Sequence, residues 1–193
     1  MEADMSYTMK PFEELDIMDD FLTNAIANDE EVREEFFKTL LSVLLQRKIG
    51  RIRINAQHII PANIPTHRGI RLDVEVAEYD DCDVEMRAKN IYDIEPHKKD
   101  SVHLPKHNRF YQAKIDSRNM KSGDKDFVRL SNLFVLTITN YDPFGYNYMM
   151  YTIHNQCEEV PELEYEDGLN FIYFNTKGTK GGTSAIKNLL NYI

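Results

Sequence analysis

Acidic residues on alternating segments hold the most chemistry in this sequence. Asp73 lies in Gly69-Ile-Arg-Leu-Asp-Val74, and Glu95 closes Ile91-Tyr-Asp-Ile-Glu95. If the two segments pair as neighbouring strands, both carboxylates can project from one face. Two carboxylates held close raise each other's pKa unless a cation lies between them. A hard divalent ion, Mg²⁺ or Mn²⁺, takes oxygen ligands of this kind. Bound there, it can activate water and offset charge building on a phosphoryl group. Solvation alone also accounts for two such acids, since carboxylates are common on exposed strand faces.

Other groups gather around Glu95. His97 follows two residues later, on the same face if the strand continues. It could orient an attacking water or contact a phosphate. Lys98 and Lys99 could supply positive charge to a phosphate or a leaving group, and equally suit an ordinary surface. His103 and His107 have the helical spacing of a zinc pair but flank Pro105 near a helix start, a weak signal. The basic residues fall in two groups, Arg47 to Arg53 and His97 to Lys114, the second including Lys106 and Arg109. A net charge of −9 opposes general affinity for phosphate backbones, although a local patch can bind against the mean.

Several classes are excluded. There is no nucleophile elbow, phosphate-cradling glycine loop or dinucleotide fingerprint. Gly178-Thr-Lys-Gly-Gly182 has the composition of a phosphate loop without its spacing. Cys157 and His154 fall on opposite faces of a strand end, so a structural cysteine is expected. Two cysteines, Cys82 and Cys157, make neither a disulfide framework nor a zinc site. The N-terminal residues lack the pattern of a signal peptide, and the apolar run Leu40 to Leu45 is too short to cross a bilayer. A reduced, cytoplasmic protein with no membrane partner is expected.

These groups need elements to position them. Residues 11 to 27 read as a helix through Phe12, Leu15, Met18, Leu22 and Ile26. Asn28 or Asp29 caps a second helix, whose stripe is Val32, Phe36, Leu40, Val43 and Leu44, closed by Arg47 and Lys48. Residues 51 to 60 alternate as a strand. Pro61 and Pro65 mark a loop. Residues 69 to 79 alternate again, with Ile70, Leu72, Val74 and Val76 on one face and Arg71, Asp73 and Glu75 on the other. Ile91 to Glu95 is a short strand that Pro96 ends or turns into an edge. Leu104 to Met120 forms a helix, Leu133 to Thr139 a buried strand, and Tyr146 to His154 and Phe171 to Phe174 further strands. Thr183 to Ile193 is a last helix with Ala185, Leu189, Leu190 and Ile193 apolar. That helix runs to the chain's end, which raises the expectation of truncation at the C-terminus. The order predicts one α/β domain over residues 1–193, a mixed sheet with a helix across it.

The succession of motifs resembles the PD-(D/E)XK nuclease family transposases, related to bacterial recombination-promoting nucleases. The similarity runs from Met18-Asp-Asp-Phe-Leu through Ile54-Asn-Ala-Gln57, Gly69 to Val74 and Ile91 to Glu95. It continues through Leu104-Pro-Lys-His-Asn-Arg-Phe-Tyr-Gln-Ala-Lys-Ile-Asp116 and Phe134 to Phe144. It implies a restriction-endonuclease-like core, with Asp73 as the metal-binding aspartate and Glu95 as the acid on the next strand. The third motif position, usually Lys or Gln, falls on His97. The resemblance also implies that Gln112 helps hold the site or the phosphate and that Arg109 faces the DNA backbone. Glu85, in Asp83-Val-Glu85-Met-Arg87, is the alternative second acid, because a tight hairpin favours it.

Two functions follow. One is a metal-dependent DNA endonuclease associated with mobile elements, its Mg²⁺ or Mn²⁺ held by Asp73, Glu95 and the carbonyl of Pro96. The other is a catalytically silent nucleic-acid- or protein-binding domain on the same fold. A homodimer is left open.

Overall fold

The computed structural model describes residue 18 and residues 20–61, 69–80, 87–98, 103–120, 123 and 126–193. Phe12, Leu15, Pro65, Cys82, Asp83, Glu85 and Lys99 lie outside the described residues. Strands β1 (Arg51–Ala56), β2 (Ile59–Ile60), β3 (Ile70–Arg71), β4 (Val74–Tyr79) and β5 (Ala88–His97) come before the long helix of the middle of the chain. Strands β6 (Asn132–Thr139), β7 (Met150–Ile153) and β8 (Leu169–Asn175) follow it. Six of them make one mixed sheet in the order β1-β4-β5-β6-β8-β7, while β2 and β3 pair separately. β1, β4 and β5 are antiparallel neighbours; β5, β6 and β8 run parallel; β7 closes the far edge antiparallel. The helices are α1 (Asp20–Asn28), α2 (Arg33–Leu45), α3 (Leu104–Asn119) and α4 (Ser184–Tyr192). The expected mixed α/β sheet with a helix across it is therefore present.

Each sheet face has its own core. On one, Phe37, Leu41 and Leu44 of α2 and Ile186 and Leu190 of α4 meet Val74, Val76, Tyr92, Ile94, Leu136, Ile138 and Phe174. On the other, Ile115 of α3 meets Ile60, Ile70, Leu72, Ile91, Leu133 and Val135. A parallel centre covered on both faces explains the unbroken apolar run of β6.

The segment 69–79 is not one strand. It breaks at Leu72 and Asp73, opposite a break at Gln57 and His58 in the paired segment. Gln57 adopts a left-handed φ of 49°. Two bonds hold the bend, Gln57 N–H to the Asp73 carbonyl and Leu72 N–H to the His58 carbonyl, both 2.9 Å. The bend exchanges the faces. Ile70 and Leu72 pack beneath α3, whereas Val74 and Val76 pack on the opposite side. Strict alternation had put all four together; an irregular residue in a ladder shifts the side-chain parity beyond it.

Other expectations are corrected in detail. β5 does not stop before Pro96 but runs through it to His97. On the β4 side the ladder ends at Val74 opposite Ile94, so the missing Pro96 N–H leaves no ladder bond unmade there. The buried stripe of α2 is Phe37, Leu40, Leu41 and Leu44, one position round from that expected, and Val32 is exposed. Asp29 does accept from the Glu31 and Val32 amides at 2.9 and 3.4 Å, but in the turn before the helix. Ala185 is exposed and Ile186 takes its place in the core, with Thr183 Oγ1 capping its amide at 3.4 Å. The strand expected over Tyr146 to His154 is confined to Met150–Ile153.

Arg47 is held at the end of the sheet away from Asp73. Its guanidinium donates to Glu78 Oε2 at 3.0 Å and also to the Tyr92 hydroxyl. Glu78 accepts further from the Gly50 amide at 2.7 Å, the Asn90 amide at 2.8 Å and the Tyr92 hydroxyl. Burial alone would raise the Glu78 pKa, but these donors outweigh it and hold the carboxyl at about 2. A carboxylate with a depressed folded pKa stabilises the fold above the unfolded carboxyl range, and that stability is lost as pH falls towards the folded value. Glu78→Gln is expected to cost about 3 kcal/mol at pH 7, because it leaves a half-buried guanidinium without its anion. The cost should shrink between about pH 4.5 and 2. Urea unfolding curves across that range check this; an equal cost at both ends counts against it.

Candidate functional site

Going along β5 and β6, the face beneath α3 changes from apolar to polar. Ile91 pairs with Leu133, Asp93 with Val135, Glu95 with Thr137 and His97 with Thr139. The period of two puts Asp93, Glu95 and His97 on one face, at the carboxyl end of parallel strands, where open α/β sheets place their ligands. β4 brings a second row alongside, with Glu75 opposite Asp93. The bend then sets Asp73 beside Glu95, and the Asp73 amide donates to Glu95 Oε1 at 3.2 Å.

The carboxylates are held out of water. Asp93 is fully buried and Glu95 is 4% exposed. Among the described residues, neither carboxylate oxygen of Asp93 has a hydrogen-bond donor. Burial pushes the Asp93 carboxyl up, and the Glu75 and Asp73 charges push it the same way against Arg118. Burial likewise raises Glu95, with Asp93 and Asp73 adding to it. Two adjacent anions have no hydrogen between them, so one proton on the Asp93–Glu95 pair supplies the bond they otherwise lack. A bound cation would replace that proton.

Arg118 balances the group on its inner side by pairing with Glu75. Arg118, in the last turn of α3, donates to Glu75 Oε2 at 2.6 Å, and Asn55 donates to Oε1 at 3.3 Å. His58 Nδ1 lies 3.4 Å from the same carboxylate. Arg118→Met would strand a buried anion. We expect a loss of about 3 kcal/mol in urea unfolding, largely recovered in the Glu75→Gln/Arg118→Met double variant. No recovery would show that Arg118 acts mainly through packing.

α3 supplies the roof. Its Asn108 is fully buried and donates to Thr137 Oγ1 at 2.7 Å. The next residue back, His107, stacks its ring on Tyr111 at 4.0 Å and meets the His97 ring edge-on at 5.1 Å. Burial lowers the His97 pKa to about 4, and the neighbouring His107 adds to the effect. At neutral pH the His97 imidazole is uncharged and offers a lone pair.

The expected site residues separate into two sets. Asp73, Glu95, Pro96 and His97 fall together at the end of β5. Gln112 lies on α3, where its amide donates to Asp116 four residues on, a bond within the helix. Lys98, Lys106 and Arg109 are exposed, the latter two within one helical turn of His107. Asp93, Glu75, Asn108 and Arg118 were not expected. His107 had been weighed as one of the basic group and as a partner of His103, which is exposed just before the helix. The parity of Asp93 with Glu95 was visible in the sequence, whereas the helix that buries both was not. A separate cleft of about 870 Å³ lies beside Asn132, Glu164 and Asp167; its acidic lining does not suit a phosphate ligand.

No protein-family model, curated protein or solved structure matches the chain. The geometry therefore has to support a function unaided. No helix among the described residues is long and apolar enough to cross a membrane.

Proposed function

We propose that the chain is a metal-dependent DNA endonuclease of the PD-(D/E)XK kind, hydrolysing phosphodiester bonds at the Asp73–Glu95 pair. The observation that supports it most is the hydrogen bond from the Asp73 amide to Glu95 Oε1, made where the bend before β4 brings Asp73 beside the polar end of β5. The residues fit a divalent cation. Asp73 and Glu95 offer oxygen ligands, and Asp93 has buried oxygens without a donor among the described residues. Asp73, Glu95 and the Pro96 carbonyl would hold Mg²⁺ or Mn²⁺, which supplies an activated water and offsets charge on the phosphoryl group.

The chain's own side chains do the rest. The Asp73 amide orients Glu95, and Asp93 takes up or releases the proton of the coupled pair. His97, uncharged, can accept a hydrogen from a water at the mouth of the site. Lys98, Lys106 and Arg109, all exposed, would meet the DNA backbone. Three antiparallel strands, a helix laid across them and a parallel returning strand support a restriction-endonuclease-like reading of the sheet. The family resemblance adds a bacterial, cytoplasmic setting and an association with mobile elements and recombination.

A silent DNA- or protein-binding domain is the second reading. It is favoured by the net charge of −9 and by His97 at the position where Lys or Gln is usual. The two readings separate in one assay. Supercoiled plasmid is incubated with the chain and Mg²⁺ or Mn²⁺, beside Asp73→Ala. Nicking that the variant loses supports the nuclease. No nicking with either ion supports the silent domain.

A further inference from the structure

Glu95, His97 and His107 each offer a ligand atom, and the three atoms lie within 4.8 Å of one another. We propose that these side chains form a site for a first-row transition-metal ion of the Zn²⁺ and Co²⁺ class, in preference to Mg²⁺. This deepens the nuclease reading by naming the ion, and rests on that reading only for what the ion would do.

Distance comes first. Three donors bound about 2.0–2.1 Å from one tetrahedral ion sit about 3.4 Å from one another. The three atoms, within 4.8 Å of one another, reach that spacing by moving less than about 1 Å at each side chain, within the reach of χ rotations. The supports are stiff. Glu95 and His97 stand on a strand paired through residue 97 with β6, and His107 stands in the first turns of a sixteen-residue helix.

Two of the three ligands also have partners that orient them. The buried Asn108 spends its amide hydrogen on Thr137 Oγ1, which leaves Oδ1 facing His107 Nδ1 at 3.3 Å. An oxygen there accepts, so Nδ1 holds the proton and Nε2 keeps the lone pair. Metal-binding histidines are commonly oriented in this way by a partner on the other ring nitrogen. Glu95 is oriented comparably, by the Asp73 amide at 3.2 Å.

Ligand chemistry decides which ion. Two imidazoles and one carboxylate suit Mn²⁺, Co²⁺ or Zn²⁺, with affinity rising from Mn²⁺ to the later metals. Mg²⁺ takes oxygen ligands and parts reluctantly with its water. A site with Lys or Gln in place of His97 would present no nitrogen lone pair there. The same substitution that weakens the nuclease motif thus adds a donor for a softer metal.

The full chain, stripped with chelator, is titrated with Co²⁺ while its visible d–d absorption is followed; Zn²⁺ then competes. We expect one saturable band, displaced by Zn²⁺ and unaffected by excess Mg²⁺. His97→Ala and His107→Ala should each weaken binding roughly 100-fold or more, and Asn108→Ala roughly 10- to 100-fold. His103→Ala, at the N-terminal end of the same helix but exposed, should change nothing. Thermal midpoints and circular dichroism show whether the variants fold, and His107→Gln, isosteric in reach but a poor ligand, repeats the test without opening a gap. Absence of a band, or a band that survives in both His107 variants, overturns the proposal. If Mg²⁺-dependent nicking persists in His107→Ala and no Co²⁺ band forms, this inference fails and the nuclease reading stands. If the band depends on His107 in a chain that cuts nothing, the inference stands and the nuclease reading falls.

Discussion

Glu95→Gln is expected to lower metal-dependent plasmid nicking by about 1,000-fold, equivalent to about 4 kcal/mol of transition-state stabilisation, while the chain stays folded. The substitution keeps the size of the side chain. The Gln carbonyl can still accept from the Asp73 amide, which now donates to Glu95 Oε1 at 3.2 Å. Its NH₂ can donate to Asp93, whose oxygens have no donor among the described residues. What disappears is the negative charge, and with it most of the attraction for a divalent cation. A fall in rate without loss of stability therefore assigns Glu95 to the metal, whereas a fall in both would mean that it holds the fold. Rates of supercoiled plasmid loss in Mg²⁺ and in Mn²⁺, beside thermal midpoints in chelator, make the separation. Glu85 gives the contrast. If Glu95→Gln still cuts and Glu85→Gln does not, the second acid lies in the β4–β5 connection and the contact seen here is structural.

Much of the scaffold was legible because its cues are local. The apolar run from Leu133 to Thr139 declared a buried strand, and Pro105 near the start of α3 marked a helix beginning. Asp73 and Glu95 were legible for the same reason, as acids on neighbouring alternating segments. Non-local effects were not. The bend at Asp73 depends on a left-handed Gln57 across the hairpin, and no property of residues 69–79 alone announces it. Glu75 reads as a solvent-facing strand acid until α3 delivers Arg118 to it. His107 reads as half of a helical pair with His103, yet its ring meets His97 on a strand. Asp93 is the instructive omission. It shares the parity of Glu95 and His97, but a lone acid between Tyr92 and Ile94 gives no local sign of being sealed beneath a helix.

That burial makes Asp93 the residue where stability and function should part. A fully buried carboxyl with no donor among the described residues, beside Glu75 and Asp73, either keeps a proton or stands as an uncompensated anion, and both cost free energy at neutral pH. Asn has almost the same volume, carries no charge and brings two hydrogens that can reach Glu95. In chelator, Asp93→Asn should therefore stabilise the chain by about 2 kcal/mol, the usual penalty of an unsatisfied buried polar group. In a domain of this size that is roughly 4–8 °C in thermal midpoint. Metal binding should move the other way. The variant has one fewer negative charge near the ion, so its Co²⁺ affinity should fall roughly 10-fold or more, as it does when an outer partner of a metal site is removed. Calorimetry of the stripped chain and the Co²⁺ titration read the two effects separately. Gain in one with loss in the other means that the fold tolerates an unpaired acid because a cation uses it. A variant less stable than the parent would mean that Asp93 has a partner in solution, and the argument for a cation at this end of the sheet would lose its buried oxygen donors.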